Sequence, residues 1–383
     1  MSVFASQPRF ADALIAWQQR AGRHDLPWQG TTEPYRIWVS EIMLQQTQVG
    51  TVIDRYRVFM DQFPTVGHLA AADLESVLGC WSGLGYYSRA RNLHAAARLI
   101  MTEHHGRFPP SAQALAQLPG IGRSTAAAIA VFSGTDVAAI LDGNVKRVLA
   151  RAFAIEGWSG QSAVQQHLWQ RAESELPREL GIEALRAYTQ GLMDLGATIC
   201  LPRRPRCEDC PIAARCAARA TGRVATLPTP RPARIIALRV ADWALILQGA
   251  RVLLQARPSR GLWGGLWALP EIRSPATPSI PALELPDSEV LDWIRAQHDL
   301  TGLTSVRDTF RPRIEPVRHV FTHFRLEARV WPMRLPSTGH DAAPEGMRWL
   351  ALNPQDIAAA PLPTPVRRLL EGLLSQLREH PAD

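Results

Sequence analysis

The feature that most constrains this chain is a group of four cysteines separated by six, two and five residues: Cys200, Cys207, Cys210 and Cys216. Thiolates are preferred ligands of zinc and of iron–sulfur clusters. Structural zinc sites usually combine one Cys-x2-Cys pair with a second close pair or with histidines, whereas this group has one close pair and no histidine between its ends. The spacing therefore favours a [4Fe–4S] cluster, with zinc and unliganded thiols as the alternatives.

Composition limits the class of protein. The 383 residues are enough for two or three domains, and 46% of them are hydrophobic. No stretch is long and apolar enough to span a bilayer, and the first ten residues lack the apolar core of a signal peptide. Because thiolate clusters need reducing conditions, we expect a cytoplasmic location. The net charge of +7 indicates a polyanionic partner, although an ordinary basic enzyme is the alternative.

The hydrophobic pattern changes at a proline-rich segment. Before it, apolar residues recur near a 3.6-residue period, most extensively from Trp38 to Phe63, which predicts a mainly α region. After it, a strand hairpin around residues 248–250, a strand over 324–331 and amphipathic helices over 288–297 and 364–377 predict an α+β domain. The predicted organisation is a helical region (1–226) with a hairpin (111–132) and a cysteine loop (200–216), a linker (227–233), an α+β domain (234–372) and a tail (373–383).

The segment Leu118-Pro119-Gly120-Ile121-Gly122-Arg123-Ser124 lies between two predicted helices. Gly120 and Gly122 allow a close approach of the backbone to a ligand, and a helix that begins there has free N–H groups that bind phosphate. The pattern is typical of a helix-hairpin-helix that grips the DNA backbone, and a tight structural turn is the alternative. The cysteine loop also carries four arginines that could bind phosphates, namely Arg203, Arg204, Arg206 and Arg215.

Two carboxylates are candidates for chemistry. Glu41 lies on a mostly apolar helical face, where a carboxyl group holds its proton longer than a solvated one, and this favours a general acid over a boundary charge. Asp142 precedes a predicted helix, and as an N-cap it would accept backbone N–H bonds and stay anionic. A capping residue can also stabilise a developing cation. One protonated and one ionised acid is the pair that cleavage of a glycosidic bond requires.

Five further strings carry a family resemblance: SEIMLQQTQV (40–49), GLGYYSRARNLH (83–94), LPGIGRSTAAAI (118–129), LDGNVKRVLAR (141–151) and GLMDLGATIC (191–200). Together with the cysteine loop, they resemble the MutY-type adenine DNA glycosylases of the helix-hairpin-helix glycosylase superfamily. The resemblance implies a six-helix barrel beside a [4Fe–4S] domain, followed by a Nudix-like α+β domain that recognises the lesion. The implied partner is duplex DNA with adenine opposite 8-oxoguanine or guanine.

The resemblance also implies roles for individual residues. Glu41 would protonate adenine at N7, Asp142 would stabilise the oxocarbenium-like sugar, and Asn144 would position Asp142. Contacts to DNA or to the lesion are implied for Leu44, Gln46, Thr47, Tyr86, Gly120, Gly122, Lys146, Thr322 and His323. Trp28 and Gln190 would lie near the adenine pocket. The implied activity is base excision repair that prevents G:C to T:A transversions, with an abasic-site endonuclease acting downstream. The resemblance implies that the protein acts as a monomer.

One position departs from the bifunctional relatives that resemble endonuclease III. Those enzymes carry a nucleophilic lysine after the hairpin, where this chain has Ser124. A hydroxyl group cannot form a Schiff base, and Lys146 is the only lysine of the chain. We therefore expect a monofunctional glycosylase. A bifunctional glycosylase/lyase, an inactive mismatch-binding protein and a Nudix hydrolase are the alternatives, and the last lacks the paired glutamates that would bind Mg²⁺ after Gly264-Gly265.

Overall fold

The computed structural model describes residues 9–232, 236–259, 261–272, 287–298, 300, 302–306, 314–321, 323–336 and 342–379. The chain forms two compact units. The first comprises Met1–Ala72 and Arg91–Ala233, and the second comprises Asp73–Ala90 and Arg234–Asp383. Within the described parts, every helix is too short or too polar to cross a membrane.

The region before the linker is helical, as predicted. Its helices are α1 (Phe10–Ala21), α2 (Pro34–Leu44), α3 (Val49–Gln62), α4 (Val66–Ala71), α5 (Leu74–Cys80), α6 (Ser88–Glu103), α7 (Ala112–Leu115), α8 (Arg123–Ser133), α9 (Gly143–Ala152), α10 (Ser162–Ser174), α11 (Ile182–Asp194) and α12 (Ala217–Ala220). A π-helical turn, Leu195–Ile199, continues α11 toward the first cysteine of the loop.

The periodic segment from Trp38 to Phe63 forms two helices, α2 and α3, although its apolar period is continuous. It breaks after Leu44, and Gln46 adopts a left-handed conformation with φ of 57°. The apolar residues Ile42 and Val49 on either side are seven positions apart, which is close to two helical turns. The hydrophobic period therefore continues in phase through the break, and the pattern alone could not reveal it.

The core of the first unit lies between α1, α8, α9 and α11. It includes fully buried side chains such as Leu14, Val131, Leu149 and Leu195. The hairpin between α7 and α8 is tight because Gly120 has φ of 77° and a Cβ atom there would lie 2.6 Å from Cβ of Asn92. This packing fixes the start of α8 and, with it, the residues that α8 carries into the site described below.

The second unit is built on a mixed sheet, so the predicted α+β class is confirmed. The strands are β1 (Ala237–Gln248), β2 (Arg251–Ala256), β3 (Trp267–Ala268), β4 (Thr304–Ser305), β5 (Val317–Val320), β6 (Phe324–Arg334) and β7 (Met347–Ala351). Their main order is β3-β2-β1-β6-β4, with β7 on β2 and β5 on β6. The predicted hairpin is β1–β2, whereas the parallel pairing of β1 with β6 had no sequence signal.

In the described residues after the linker, three helices accompany this sheet: α13 (Asp287–His298), α14 (Pro354–Ala359) and α15 (Thr364–Glu379). Alternate residues of β1 point to opposite faces of the sheet, as in any strand. Leu245 packs in a core with α15, and Ile246 packs in a second core with α13. Helix α15 runs beyond the predicted start of the tail at residue 373, and the other predicted domain boundaries stay predictions.

The segment 73–90 belongs to the second unit although it lies within the helical half of the sequence. The hydroxyl of Tyr87 donates to the carbonyl of Leu362 at 3.0 Å. The guanidinium of Arg367 donates to Oγ of Ser82 at 2.7 Å. These contacts tie the segment to the turn before α15 and to α15 itself.

Candidate active site

A cavity of about 930 Å³ opens in the first unit and is polar on part of its wall. It brings together nine of the residues predicted from the sequence, from segments that are far apart in the chain. These are Trp28, Glu41, Leu44, Gln46, Thr47, Ser124, Asp142, Asn144 and Gln190. Gly120, Gly122 and Lys146 are not among the described residues that line it. The two glycines are exposed at the hairpin, and Lys146 lies half-buried on α9.

Glu41 lies on α2 and reaches into the cavity. Ile37, one turn earlier, is buried, and Glu41 itself is half-buried in the cavity wall. Burial, and to a lesser extent the negative charge of Asp142, raises the pKa of Glu41 to about 8. The carboxyl group can therefore hold a proton at neutral pH, which is the state that a general acid requires.

Asp142 is the N-cap of α9. Its Oδ1 accepts a hydrogen bond from the N–H of Val145 at 2.7 Å, and Nδ2 of Asn144 lies 3.5 Å from Oδ2. Burial raises the pKa of Asp142, while the N–H groups of Val145 and Asn144 and the cations Arg147 and Lys146 oppose the increase.

The expectation that capping would by itself keep Asp142 anionic thus needs a correction, because burial outweighs the cap. The order of ionisation within the pair is still clear. Asp142 has backbone donors and two neighbouring cations, whereas burial and the charge of its partner act together on Glu41. Glu41 is therefore the second of the two to lose its proton.

Ser124 is the second residue of α8, and its Oγ accepts a hydrogen bond from the N–H of Leu141 at 2.9 Å. This bond holds the start of α8 beside the residue that precedes Asp142. Asn144 is held from the other side, since its Oδ1 accepts from Nη2 of Arg147 at 2.8 Å. Hydrogen bonds thus fix the positions of both Ser124 and Asn144 on the cavity wall.

The break between α2 and α3 forms another part of the wall. Nε2 of Gln45 donates to Oγ1 of Thr125 at 3.3 Å, and the N–H of Thr47 donates to the carbonyl of Leu44 at 3.3 Å. Between them, Gln46 keeps its left-handed backbone and an exposed side chain. A non-glycine residue in this conformation stores strain and is often found at functional sites.

Sequence reasoning missed two residues at the cavity, Asp194 and its partner Arg23. Asp194 is fully buried, and its carboxylate accepts hydrogen bonds from Arg23 and from Nε2 of Gln190. The sequence shows Asp194 only as one letter within a family string. A buried aspartate paired with an arginine 171 residues away leaves no periodic or local signal.

The remaining predicted lesion contacts belong to the second unit. Tyr86 has φ of 46° and a side chain that is 50% exposed. Arg89 holds the residues that precede Tyr86, because its Nη2 donates to the carbonyls of Leu84 and Gly85 at 2.8 and 3.1 Å. The guanidinium of Arg89 also lies over the Tyr86 ring. His323 is exposed, and Thr322 lies outside the described residues.

The four cysteines of the loop line one cavity, together with apolar side chains of α9 and of the π-helical turn. Nη1 of Arg151 lies 3.3 Å from Sγ of Cys200, so a cation is available to balance thiolate charge. Burial raises the pKa of the Cys210 thiol to about 12. Four thiols that line one cavity are the ligand type of an iron–sulfur cluster. Within the described part of the chain, no three metal-binding side chains are placed to hold a single metal ion.

Two family models match separate parts of the chain. Residues 39–174 match the HhH-GPD superfamily of base excision DNA repair proteins, and residues 242–372 match the NUDIX domain. The adenine DNA glycosylase of Buchnera aphidicola subsp. Baizongia pistaciae is 33% identical over 363 residues, which cover 94% of this chain and 95% of that protein. The adenine DNA glycosylase of Homo sapiens is 34% identical over 397 residues, which cover 89% of this chain and 70% of that protein.

Among solved structures, a thermostable thymine-DNA glycosylase is similar to this chain, with a TM-score of 0.50 and 29% sequence identity. The similarity covers 55% of this chain and 95% of that structure.

Proposed function

The chain belongs to the adenine DNA glycosylase family, and from this premise we propose that it hydrolyses the N-glycosidic bond of adenine mispaired with 8-oxoguanine or guanine in duplex DNA. The observation that carries the proposal is the meeting of Glu41 and Asp142 in one cavity of about 930 Å³. An adenine must leave the base stack to reach such a site, at a cost of about a few kcal/mol. Its removal would prevent G:C to T:A transversions.

In the proposed reaction, Glu41 donates its proton to N7 of the flipped adenine. The bond between C1′ and N9 then breaks, and the base leaves as a neutral purine. The raised pKa of Glu41 supports this role, because the acid is available at neutral pH without a further proton source.

Asp142 faces the positive charge that develops on the sugar. Its carboxylate is held in place by the N–H of Val145 and by Asn144, so little reorganisation is needed when the charge appears. Water adds to C1′, and its proton passes to the carboxylate that Glu41 has become, which restores the acid. Asn144 acts through Asp142 as a positioning residue.

We propose that the enzyme is monofunctional. The side chain of Ser124 lies in the cavity where a bifunctional relative would need an amine, and its Oγ is occupied by the N–H of Leu141. Lys146 is the only lysine, and it is not among the described residues that line the cavity. This supports the monofunctional reading over the glycosylase/lyase alternative.

The proposed DNA grip combines several elements. The exposed glycines Gly120 and Gly122 leave the start of α8 open to phosphate, and Lys146 adds a cation. Residues at the break after α2 (Leu44, Gln46 and Thr47) would probe the base pair, and Tyr86, Thr322 and His323 would contact 8-oxoguanine. Trp28 and Gln190 would line the adenine pocket. Because the proposed target is chromosomal DNA, we propose that the protein acts in the cytoplasm at the nucleoid. We also propose that it is a monomer.

We further propose a [4Fe–4S] cluster held by Cys200, Cys207, Cys210 and Cys216. The support is their common cavity and the nearby guanidinium of Arg151. The group would clamp the loop that carries exposed arginines and so hold these cations toward phosphate. Zinc is the alternative, and metal content distinguishes the two.

The proposal is tested by single-turnover assays on a labelled duplex with adenine opposite 8-oxoguanine, followed by alkali to cleave abasic sites. We expect adenine release, strand cleavage only after alkali, and no reaction when cytosine replaces adenine. Glu41→Gln should bind the mismatched duplex but release adenine at least 100-fold more slowly. An active Glu41→Gln variant would contradict the acid assignment, and strand cleavage without alkali would contradict the monofunctional assignment.

A further inference from the structure

The orientation of the Gln190 amide is fixed from behind the cavity wall. Its Nε2 donates to Oδ1 of Asp194 at 2.9 Å. A carboxylate only accepts hydrogen bonds, so it selects the NH2 end of the amide and turns the carbonyl end away from itself. Since Gln190 lines the cavity, Oε1 is the acceptor that it can offer to a ligand.

Asp194 is itself rigidly held. Its side chain is 0% exposed, and it is not among the described residues that line the cavity. The backbone N–H of Arg23 donates to Oδ2 at 2.9 Å, and Nε of the same residue donates to Oδ1 at 2.7 Å. The carbonyl of Asp194 accepts from Thr198 at 2.8 Å, at the π-helical turn. A carboxylate with this many donors cannot rotate to release Gln190.

We propose that Asp194 is a positioning residue that sets base specificity: it holds Gln190 so that Oε1 accepts a hydrogen bond from the exocyclic 6-amino group of adenine. A 6-oxopurine such as hypoxanthine presents an acceptor at the same place, which Oε1 would repel. The inference rests on the proposed function, since it requires a purine in this cavity. It assigns a role in base specificity to Asp194, which does not touch the base.

The test compares single-turnover excision of adenine and of hypoxanthine, each opposite 8-oxoguanine, in Asp194→Leu and Asp194→Asn. Asp194→Leu frees the amide to rotate and to donate to the 6-oxo group. We expect the ratio of adenine to hypoxanthine rates to fall about tenfold or more. The freed amide can lose its hydrogen bond to the 6-amino group of adenine and can donate one to the 6-oxo group of hypoxanthine. Asp194→Asn keeps one oxygen for Gln190, so its ratio should stay within about twofold of the wild-type ratio.

Gln190→Leu is the matched control, since it removes the reading atom while leaving Asp194. It should lower the adenine rate, because the acceptor for the 6-amino group is lost, and raise the hypoxanthine rate, because the repulsion of the 6-oxo group is lost as well. Should Asp194→Leu fail to fold because Arg23 is left unpaired, the double variant Arg23→Met/Asp194→Leu removes the whole ion pair. Arg23→Met alone retains the carboxylate and should retain the ratio.

A residue that only supports the fold would slow both substrates alike. An unchanged ratio in the folded Asp194→Leu protein or in the double variant would overturn the inference and leave the proposed function intact. A wild-type protein that releases no adenine would overturn both.

Discussion

Burial and the negative charge of Asp142 together raise the pKa of Glu41 to about 8, so two carboxyl groups of one cavity ionise in a fixed order. The difference arises from position in the fold. Asp142 begins a helix and receives backbone hydrogen bonds, whereas Glu41 projects from the middle of α2. Glu41 is thereby the better placed of the two to act as the proton donor, and Asp142 loses its proton first.

This order predicts a dependence of activity on pH. The donor must be protonated, so kcat/KM should fall about tenfold per unit as the pH rises above the pKa of Glu41, which is about 8. The measurement is kcat/KM for adenine release across this range, with affinity for the same duplex as the control for DNA binding. An activity that stays constant well above pH 8 would remove Glu41 as the donor.

Asp142 combines a structural and a proposed electrostatic role, and two substitutions separate them. Asparagine is as good an N-cap as aspartate, so Asp142→Asn should keep the thermal stability while adenine release falls at least 100-fold because the charge is lost. Asp142→Ala should lose the same activity and in addition about 1 kcal/mol of stability. Thermal unfolding and single-turnover rates measure the two effects, and an active Asp142→Asn would contradict the electrostatic role.

Much of the fold could be predicted because local patterns were strong. The amphipathic pattern over 364–377 predicted α15, and the turn at Gly249 identified the β1–β2 hairpin. The interruption after Leu44 was hidden, since the residues on both sides keep the same helical phase. The grouping of residues 73–90 with the second unit depends on contacts such as Tyr87 with Leu362, which are 275 residues apart.

The candidate site shows the same limit. Glu41 and Asp142 could be singled out because each has a local signature, an acid on an apolar face and an N-cap before an amphipathic helix. Their common cavity and the effect of one charge on the other required the tertiary structure. Asp194 had no local signature, since its partner Arg23 lies 171 residues away in the sequence.

Arg89 should control the exposed ring of Tyr86. Arg89→Met removes the hydrogen bonds to Leu84 and Gly85 and the contact of the guanidinium with the ring. We expect a loss of about 1–3 kcal/mol in the free energy of unfolding, because two hydrogen bonds from the guanidinium to backbone carbonyls are lost. We also expect about tenfold weaker binding to an adenine:8-oxoguanine duplex, measured by fluorescence anisotropy.

Two variants of the ring itself complete this comparison. Tyr86→Phe keeps the aromatic face and should bind like the wild type, whereas Tyr86→Ala should lose as much affinity as Arg89→Met. If Tyr86→Ala binds normally, the ring is not a lesion contact, and the effect of Arg89→Met would then be confined to stability.

Metal analysis decides between the two candidate occupants of the cysteine cavity. Protein purified without oxygen should contain about four irons per chain and show a broad absorbance near ~400 nm, as expected for thiolate-ligated iron–sulfur clusters. Cys210→Ser should lose most of the iron, because Cys210 lines the cavity. Cys80→Ser is the matched control, since Cys80 is at the end of α5 and lies outside the described residues that line this cavity. One zinc per chain would favour the alternative, and equal iron in both variants would show that these thiols do not bind it.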